Sequence, residues 1–176
     1  MKKITVVLAT LMLAACASAP KTTSTQQSSA TATPESANTR TLSAAEIEAR
    51  RLAEERAQMQ AQMQALQQQS VYFDFDQFSV KPEFAGTIQR QADFMKSHSK
   101  DVVTLEGNAD ERGSQEYNLA LGEKRADAVS KNLVMLGVPA SSLKTSSYGE
   151  EKPRLSCHEE RCWKENRRVD FAHKLN

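Results

Sequence analysis

The pattern of hydrophobic and polar residues becomes regular near residue 71 and predicts alternating strands and helices from there onward. Val71, Phe73 and Phe75 alternate with more polar residues, which is the period of a half-buried strand. Farther on, apolar residues recur every three or four positions, the period of a helix with one buried face. The predicted elements are a strand over 71–75, a helix beginning near Pro82, a strand over 102–106, a loop over 107–113, a helix over 114–136, and strands over 143–148 and 169–173.

This βαβαββ order predicts an α+β domain over residues 70–176, a sandwich of two helices on a mixed sheet. The first two strands should run parallel, because a helix connects them. Most of the aromatic and β-branched residues lie in this region, so the hydrophobic core is expected there.

Two stretches before this domain have the composition of a tether and a spacer. Residues 16–42 are rich in Ser, Thr, Ala and Gln with few large apolar side chains, which predicts a flexible, disordered tether. Residues 43–69 are rich in Ala, Glu, Arg, Gln and Met and contain no Gly or Pro, which predicts a helix. A 4,3 spacing of apolar positions leaves two alternatives for this helix, a solvated spacer or self-association as a coiled coil.

The first 15 residues are typical of a secretory signal peptide. Lys2 and Lys3 precede an apolar run that is too short to span a bilayer and ends in small residues. Leu13-Ala14-Ala15-Cys16 resembles the lipobox of bacterial lipoproteins, which implies that Cys16 carries acyl chains such as palmitate and becomes the mature N-terminus. Ala17 follows in place of the Asp that retains such proteins at the inner membrane, so we expect the periplasmic face of the outer membrane. The alternative is an ordinary signal peptide with an incidental cysteine.

Charge and cysteine content narrow the classes of partner. Charged residues make up 26% of the 176 residues, but the net charge is only +1, which argues against a nucleic-acid partner. In an exported chain, Cys157 and Cys162 are expected to form a disulfide. The alternative is a zinc site that adds His158 and His173, although the spacing fits no common zinc module. We expect neither metal nor cofactor.

Several motifs resemble, in order and spacing, the OmpA-like peptidoglycan-binding domain, and in particular its peptidoglycan-associated lipoproteins. The motifs are Tyr72-Phe73-Asp74-Phe75-Asp76, the run from Glu106 to Gly113, Tyr117-Asn118-Leu119-Ala120-Leu121-Gly122 and Arg125-Ala126-Asp127-Ala128-Val129. The resemblance implies non-covalent peptidoglycan binding, a tether between outer membrane and wall, and partnership with the propeller protein TolB in the Tol-Pal system of cell division.

The expected ligand explains why opposite charges are needed. A wall stem peptide with a free diaminopimelate end presents an ammonium and a carboxylate on one carbon, so its receptor needs an anion beside a cation. The resemblance implies that Asp110 takes the ammonium and Arg125 the carboxylate. It also places five further residues in the same groove, Asn118, Leu121, Phe75, Asp76 and Ala109. Family members often carry Thr where this chain has Ala109, so one hydroxyl is absent.

The alternative is that Asp110 and Arg125 pair only with each other, while Asn118 caps backbone. If the two charges form the site, we expect a groove open to water, where truncating either residue costs more binding than stability.

The remaining function classes fit less well than a binding module. An exported wall hydrolase would need a zinc triad, a Cys-His pair or paired carboxylates, and only Asp74 and Asp76 on one side of a strand suggest such a pair. A stator or porin would need a spanning helix or a barrel. We therefore expect a protein that binds the wall without catalysis.

Overall fold

Two helices pack on one face of a four-stranded sheet in the computed structural model, which describes residues 42–175. The strands are β1 (Ser70–Tyr72), β2 (Asp101–Asn108), β3 (Leu143–Gly149) and β4 (Arg168–Leu175). The predicted signal peptide, the tether before Leu42 and Cys16 lie outside the described residues. The α+β fold class predicted from the sequence is confirmed.

The sheet is mixed, with the order β1-β4-β2-β3. The last strand, β4, is antiparallel to both β1 and β2, whereas β2 and β3 are parallel neighbours. The strands β1 and β2 therefore run in the same direction, as predicted, but β4 lies between them. The last strand of the chain is thus an interior strand of the sheet, whereas the first strand forms one edge.

The helices are α1 (Ala44–Gln67), α2 (Ala85–Ser97), α3 (Gln115–Met135) and α4 (Glu160–Asn166). Ser43 and Glu46 form a capping box that begins α1, and the Ser114 side chain accepts the backbone N–H of Tyr117 at the start of α3. A 3-10 turn at Pro82–Phe84 leads into α2. The sequence pattern did not predict α4, which is only two turns long.

The core fills the layer between the sheet and helices α2 and α3. Alternate residues of the strands, such as Val103 and Leu105, meet one face of each helix, represented by Ile88 on α2 and Val129 on α3. Thr104, between the two core residues of β2, is only partly buried. The period of two in the strands and of 3.6 in the helices thus produces one continuous hydrophobic cluster.

Two strand boundaries differ from the prediction. The first strand ends at Tyr72 and does not reach residue 75, because the chain turns and Asp76 adopts a left-handed backbone (φ 58°). The second strand extends to Asn108, into the predicted loop, because β3 and β4 supply hydrogen-bonding partners on both sides. Both changes move the backbone that carries predicted site residues.

The helix α3 lies unusually close to β2 where two glycines face each other. A Cβ on Gly107 would collide with the carbonyl of Gly122, and a Cβ on Gly122 would collide with the Ser147 hydroxyl. Only glycine at both positions permits this approach. The first half of α3 is therefore held against the C-terminal ends of β2 and β3.

The spacer helix α1 is solvent-exposed except at its C-terminal end. Leu66 is its one buried residue, and the Leu66 carbonyl accepts a hydrogen bond from the Gln91 side chain (2.9 Å). The side chain of Gln67 donates to the carbonyl of His173 in β4 (3.1 Å). These contacts attach the end of the spacer to the domain, while its self-association stays a prediction.

Candidate functional site

A cavity of about 250 Å³ opens between the β1–α2 connection, the β2–α3 loop and the first half of α3. We call it the site pocket. Its lining residues are Phe75, Asp76, Asp110, Arg112, Gly113, Tyr117, Asn118, Leu121 and Arg125. Three separate segments contribute polar groups to one concave surface, which is the usual construction of a ligand site.

Asp110 supplies a buried negative charge to the site pocket and is only 4% exposed. Its Oδ1 accepts the backbone N–H of Arg112 (3.1 Å) and the Arg112 Nε (3.0 Å). Its Oδ2 accepts Nη2 of Arg112 (2.6 Å) and Nη1 of Arg167 (3.2 Å). Burial alone would raise the pKa of Asp110, but these hydrogen bonds outweigh it and lower the pKa below its ordinary value. Asp110 is therefore ionised at neutral pH.

Arg125 supplies a buried positive charge and is 0% exposed. Its guanidinium donates to three backbone carbonyls, of Gln77 (2.8 Å), Asn108 (2.8 Å) and Asp74 (3.2 Å). Burial lowers the pKa of Arg125 to about 10, against the opposing effect of the Asp110 charge. Within the described residues, no carboxylate lies within 4.0 Å of this guanidinium as an ion-pair partner.

The helix α3 presents its site residues at intervals of three and four. Asn118, Leu121 and Arg125 therefore lie on one helical face. The Asn118 side chain donates to the carboxylate of Glu150 and does not cap backbone. Asn118 thus ties α3 to the turn after β3.

Aromatic rings form the rim of the site pocket. The guanidinium carbon of Arg112 lies 4.0 Å from the ring centre of Phe75 and 4.1 Å from that of Trp163, so Arg112 is stacked between two rings. On the other side, the Tyr117 hydroxyl donates to Asp76, and this hydrogen bond raises the pKa of Tyr117.

The structure brings together six of the seven residues that the sequence assigned to the groove. The exception is Ala109, which is buried and donates its backbone N–H to Gly149 (2.7 Å) without lining the site pocket. Sequence reasoning missed Arg112, Gly113 and Tyr117. The four-residue spacing from Tyr117 to Leu121 and Arg125 was a usable signal for one of them.

Two expectations about the charged residues change. Asp110 and Arg125 do not form the exclusive ion pair of the alternative interpretation, because Asp110 pairs with Arg112 and Arg167. The expectation that truncating Arg125 costs little stability also changes, because Arg125 is itself fully buried although it lines the site pocket. Three backbone carbonyls depend on its guanidinium, so truncating Arg125 must cost stability as well as binding.

The two C-terminal cysteines are joined in the structure, so Cys157 and Cys162 close a short loop at the start of α4. The two histidines of the zinc alternative lie elsewhere. His158 contacts Glu111, whereas His173 is buried between Asp101 and Gln91. Over residues 42–175 no cluster of three potential metal ligands is found. Nor does any helix in that range have the length and hydropathy needed to cross a bilayer.

Comparison with known protein families tests the resemblance to the OmpA family that the motifs suggested. The model of the OmpA family matches residues 72–167, which include every residue that lines the site pocket, all of β2 and β3, and the last residue of β1. The chain belongs to the OmpA family. The resemblance drawn from the sequence motifs is therefore confirmed.

Relatives within the OmpA family include named lipoproteins. The chain is 48% identical over 99 residues to a peptidoglycan-associated lipoprotein of Agrobacterium fabrum, covering 56% of each chain. It is 43% identical over 113 residues to one from Pasteurella multocida, covering 63% of this chain and 75% of the relative. The match to the Agrobacterium protein thus spans only about half the length of that relative.

Solved structures agree with the fold of this OmpA-family domain. The crystal structure of the peptidoglycan-associated lipoprotein from Burkholderia pseudomallei matches with a TM-score of 0.60 and 45% identity, over 61% of this chain and 91% of that one. The C-terminal domain of Helicobacter pylori MotB matches with a TM-score of 0.53 at 22% identity, covering 60% and 84% of the two chains. The second likeness concerns the fold alone.

Proposed function

We propose that this chain is a lipoprotein of the bacterial envelope that binds peptidoglycan through the site pocket without catalysis. The observation that carries the proposal is that the buried guanidinium of Arg125 and the buried carboxylate of Asp110 line the same pocket. The printed names of the relatives, peptidoglycan-associated lipoproteins, support the same ligand.

The hydrogen bonds of Arg125 leave room for a ligand carboxylate. A guanidinium has five N–H donors, and Arg125 uses three of them on backbone carbonyls. A carboxylate that enters the site pocket can accept the remaining two. Because burial has already removed water from the guanidinium, such a charge-assisted bond is stronger than one at the surface.

Asp110 offers the opposite pole a short distance away in the same cavity. A ligand that carries an ammonium and a carboxylate on one carbon satisfies both poles, whereas a simple carboxylate or a simple amine satisfies one. The free end of diaminopimelate in a wall stem peptide has this chemistry. We infer that the site pocket recognises this end, with Leu121 and Phe75 contacting its aliphatic part.

The wider cellular role rests on the first 42 residues. Acylation of Cys16 would place the protein in the outer membrane, and the tether over 16–42 would let the domain reach the wall. The protein would then connect outer membrane and wall, with a TolB-like protein as partner in a Tol-Pal system. Metabolic labelling with a fatty acid tests the anchor, since label must be incorporated by the wild type and lost in Cys16→Ser.

A binding experiment with a matched control tests the site pocket. The full-length chain should sediment with purified sacculi and be released by free diaminopimelate, but not by pimelate or 1,5-diaminopentane. Asp110→Asn should weaken binding by about 2 to 5 kcal/mol, which is roughly 30-fold or more. The control is Asp170→Asn, because Asp170 also lies between two arginines but outside the cavity.

The proposal requires that Asp110→Asn binds sacculi more weakly than Asp170→Asn does. Normal sedimentation of folded Asp110→Asn would show that the ion pairs around Asp110 are structural. Equal competition by all three small molecules would show that the site pocket does not require both charges.

A further inference from the structure

The carboxylate of Asp110 has no unused hydrogen-bonding position in the ligand-free structure. Its two oxygens provide about four in-plane lone-pair positions. Arg112 fills three of them, with its backbone N–H, Nε and Nη2, and Arg167 fills the fourth. A ligand ammonium can therefore bind Asp110 only if one of these donors leaves.

The two arginines differ in their freedom to leave. The Arg167 side chain is 5% exposed and also donates to the Phe73 carbonyl (3.0 Å) and to Glu160. The Arg112 side chain is 31% exposed and lies on the rim of the site pocket. Displacing Arg112 into solvent therefore costs less than displacing Arg167 into the protein interior.

Stacking restrains the guanidinium of Arg112 where it is. It lies between the rings of Phe75 and Trp163, and Trp163 is held in turn by a hydrogen bond from Nε1 to Glu111 (2.8 Å). Trp163 directly follows Cys162, whose disulfide closes the loop before it. The short helix α4 thus contributes one wall of the stack that keeps Arg112 on Asp110.

We propose that Arg112 is an internal competitor for the ligand ammonium, and that Trp163 determines ligand affinity by holding Arg112 on Asp110. The inference rests on the proposed function and deepens it. Binding exchanges one cation for another at Asp110, while Arg125 receives the ligand carboxylate unaided. Arg112 and Trp163 are therefore positioning residues, and removing either should tighten binding.

The opposite role for Arg112 is a direct bond to the ligand carboxylate, and the two roles predict opposite signs. Calorimetric titration of the full-length chain with diaminopimelate measures the sign. Arg112→Gln should bind about 10-fold tighter than wild type, since the ligand no longer displaces a charge-assisted pair. Arg112→Lys, which keeps the charge but not the two-pronged geometry, should lie between the two.

Trp163 provides a second and independent variant. Trp163→Leu removes the ring and should tighten binding by about 3-fold. Trp163→Phe keeps a ring but loses the hydrogen bond to Glu111, so its affinity should lie between wild type and Trp163→Leu. The matched control is Arg154→Gln. The Arg154 side chain is 34% exposed and pairs with Asp170 (2.8 Å), but it does not line the site pocket. Arg154→Gln should therefore bind diaminopimelate with the affinity of wild type.

The outcomes distinguish a failure of this inference from a failure of the proposed function. If wild type binds diaminopimelate and folded Arg112→Gln binds equally or more weakly, Arg112 is not a competitor. If a thermal melt shows that Arg112→Gln does not fold, Trp163→Leu becomes the deciding variant. Binding by Trp163→Leu that is equal to or weaker than that of wild type then overturns the inference. If wild type itself does not bind diaminopimelate, the proposed function fails and the inference fails with it.

Discussion

Two clusters of this domain have the same composition, one aspartate between two arginines. The site cluster is Asp110 with Arg112 and Arg167, and the sheet cluster is Asp170 with Arg154 and Arg168. Both aspartates accept hydrogen bonds from two guanidinium groups. By ion-pair geometry alone, the two clusters could not be told apart.

Their surroundings make them different. In the sheet cluster, Asp170 accepts the Ser70 hydroxyl in addition to the two arginines, and Arg168 donates to the backbone carbonyls of Asn166 and Lys152. None of the three residues of the sheet cluster lines the site pocket. The site cluster borders the site pocket, where Arg125 has N–H donors that its three backbone carbonyls do not use. An ion-pair cluster thus becomes a candidate site when a cavity and unused donors lie beside it.

The largest expected difference is in stability after loss of one arginine, either Arg125 beside the site cluster in the site pocket or Arg168 in the sheet cluster. Arg125→Ala leaves three backbone carbonyls without their donor, the one at Asn108 fully buried, and should lower the free energy of unfolding by about 3 kcal/mol or more. Arg168→Ala removes two longer backbone contacts, while Asp170 keeps Arg154, so the loss should be about 1 to 2 kcal/mol. Urea unfolding of both variants measures the difference, and equal losses would remove the distinction.

The second-largest expected difference is in how much the ligand stabilises a variant of each aspartate. Diaminopimelate at 100 times its dissociation constant should raise the free energy of unfolding of the wild type by about 2.7 kcal/mol. Asp170→Asn should show the same increase, whereas Asp110→Asn should show almost none. Thermal melts with and without the ligand give the comparison. An equal increase in both variants would mean that the ligand binds elsewhere.

A smaller effect is expected from the loop that belongs to the site cluster. Opening the disulfide between Cys157 and Cys162 releases a very short loop and should destabilise the domain by about 2 kcal/mol or less. Because Trp163 adjoins this loop, hydrogen exchange should increase around α4 and the site pocket but not around Asp170. Mass spectrometry before and after reduction follows both regions, and faster exchange throughout the sheet would contradict the prediction.

The smallest effect is a pH dependence of stability that comes from Asp110. Burial raises its pKa, but hydrogen bonds from Arg112 and Arg167 hold the pKa below the ordinary 3.8 in the folded protein. A lowered folded pKa gives a stabilisation that is fully present above the unfolded pKa and is lost as pH falls through the folded one. Between about pH 5 and about pH 3, wild type should therefore lose more stability than Asp110→Asn. Parallel acid-unfolding slopes would exclude this contribution.

Local patterns determined much of the domain. The period of two around Val71 and the helical period of α3 act within a few residues, so they could be read directly from the sequence. The family motifs likewise placed Asp110 and Arg125 in one groove, and both line the site pocket. Short α4 was not predicted, since two turns carry too little periodicity.

Tertiary structure alone decided which charges pair and which remain available. Arg167 is 57 residues from Asp110 in sequence and reaches it only because β4 inserts between β1 and β2. Contacts between distant segments leave no periodic signal, since they depend on how whole strands and helices pack. Consequently the sequence could name Asp110 and Arg125 as two opposite charges. Only tertiary packing buries Arg125 on three carbonyls and stacks Arg112 between two aromatic rings where it pairs with Asp110.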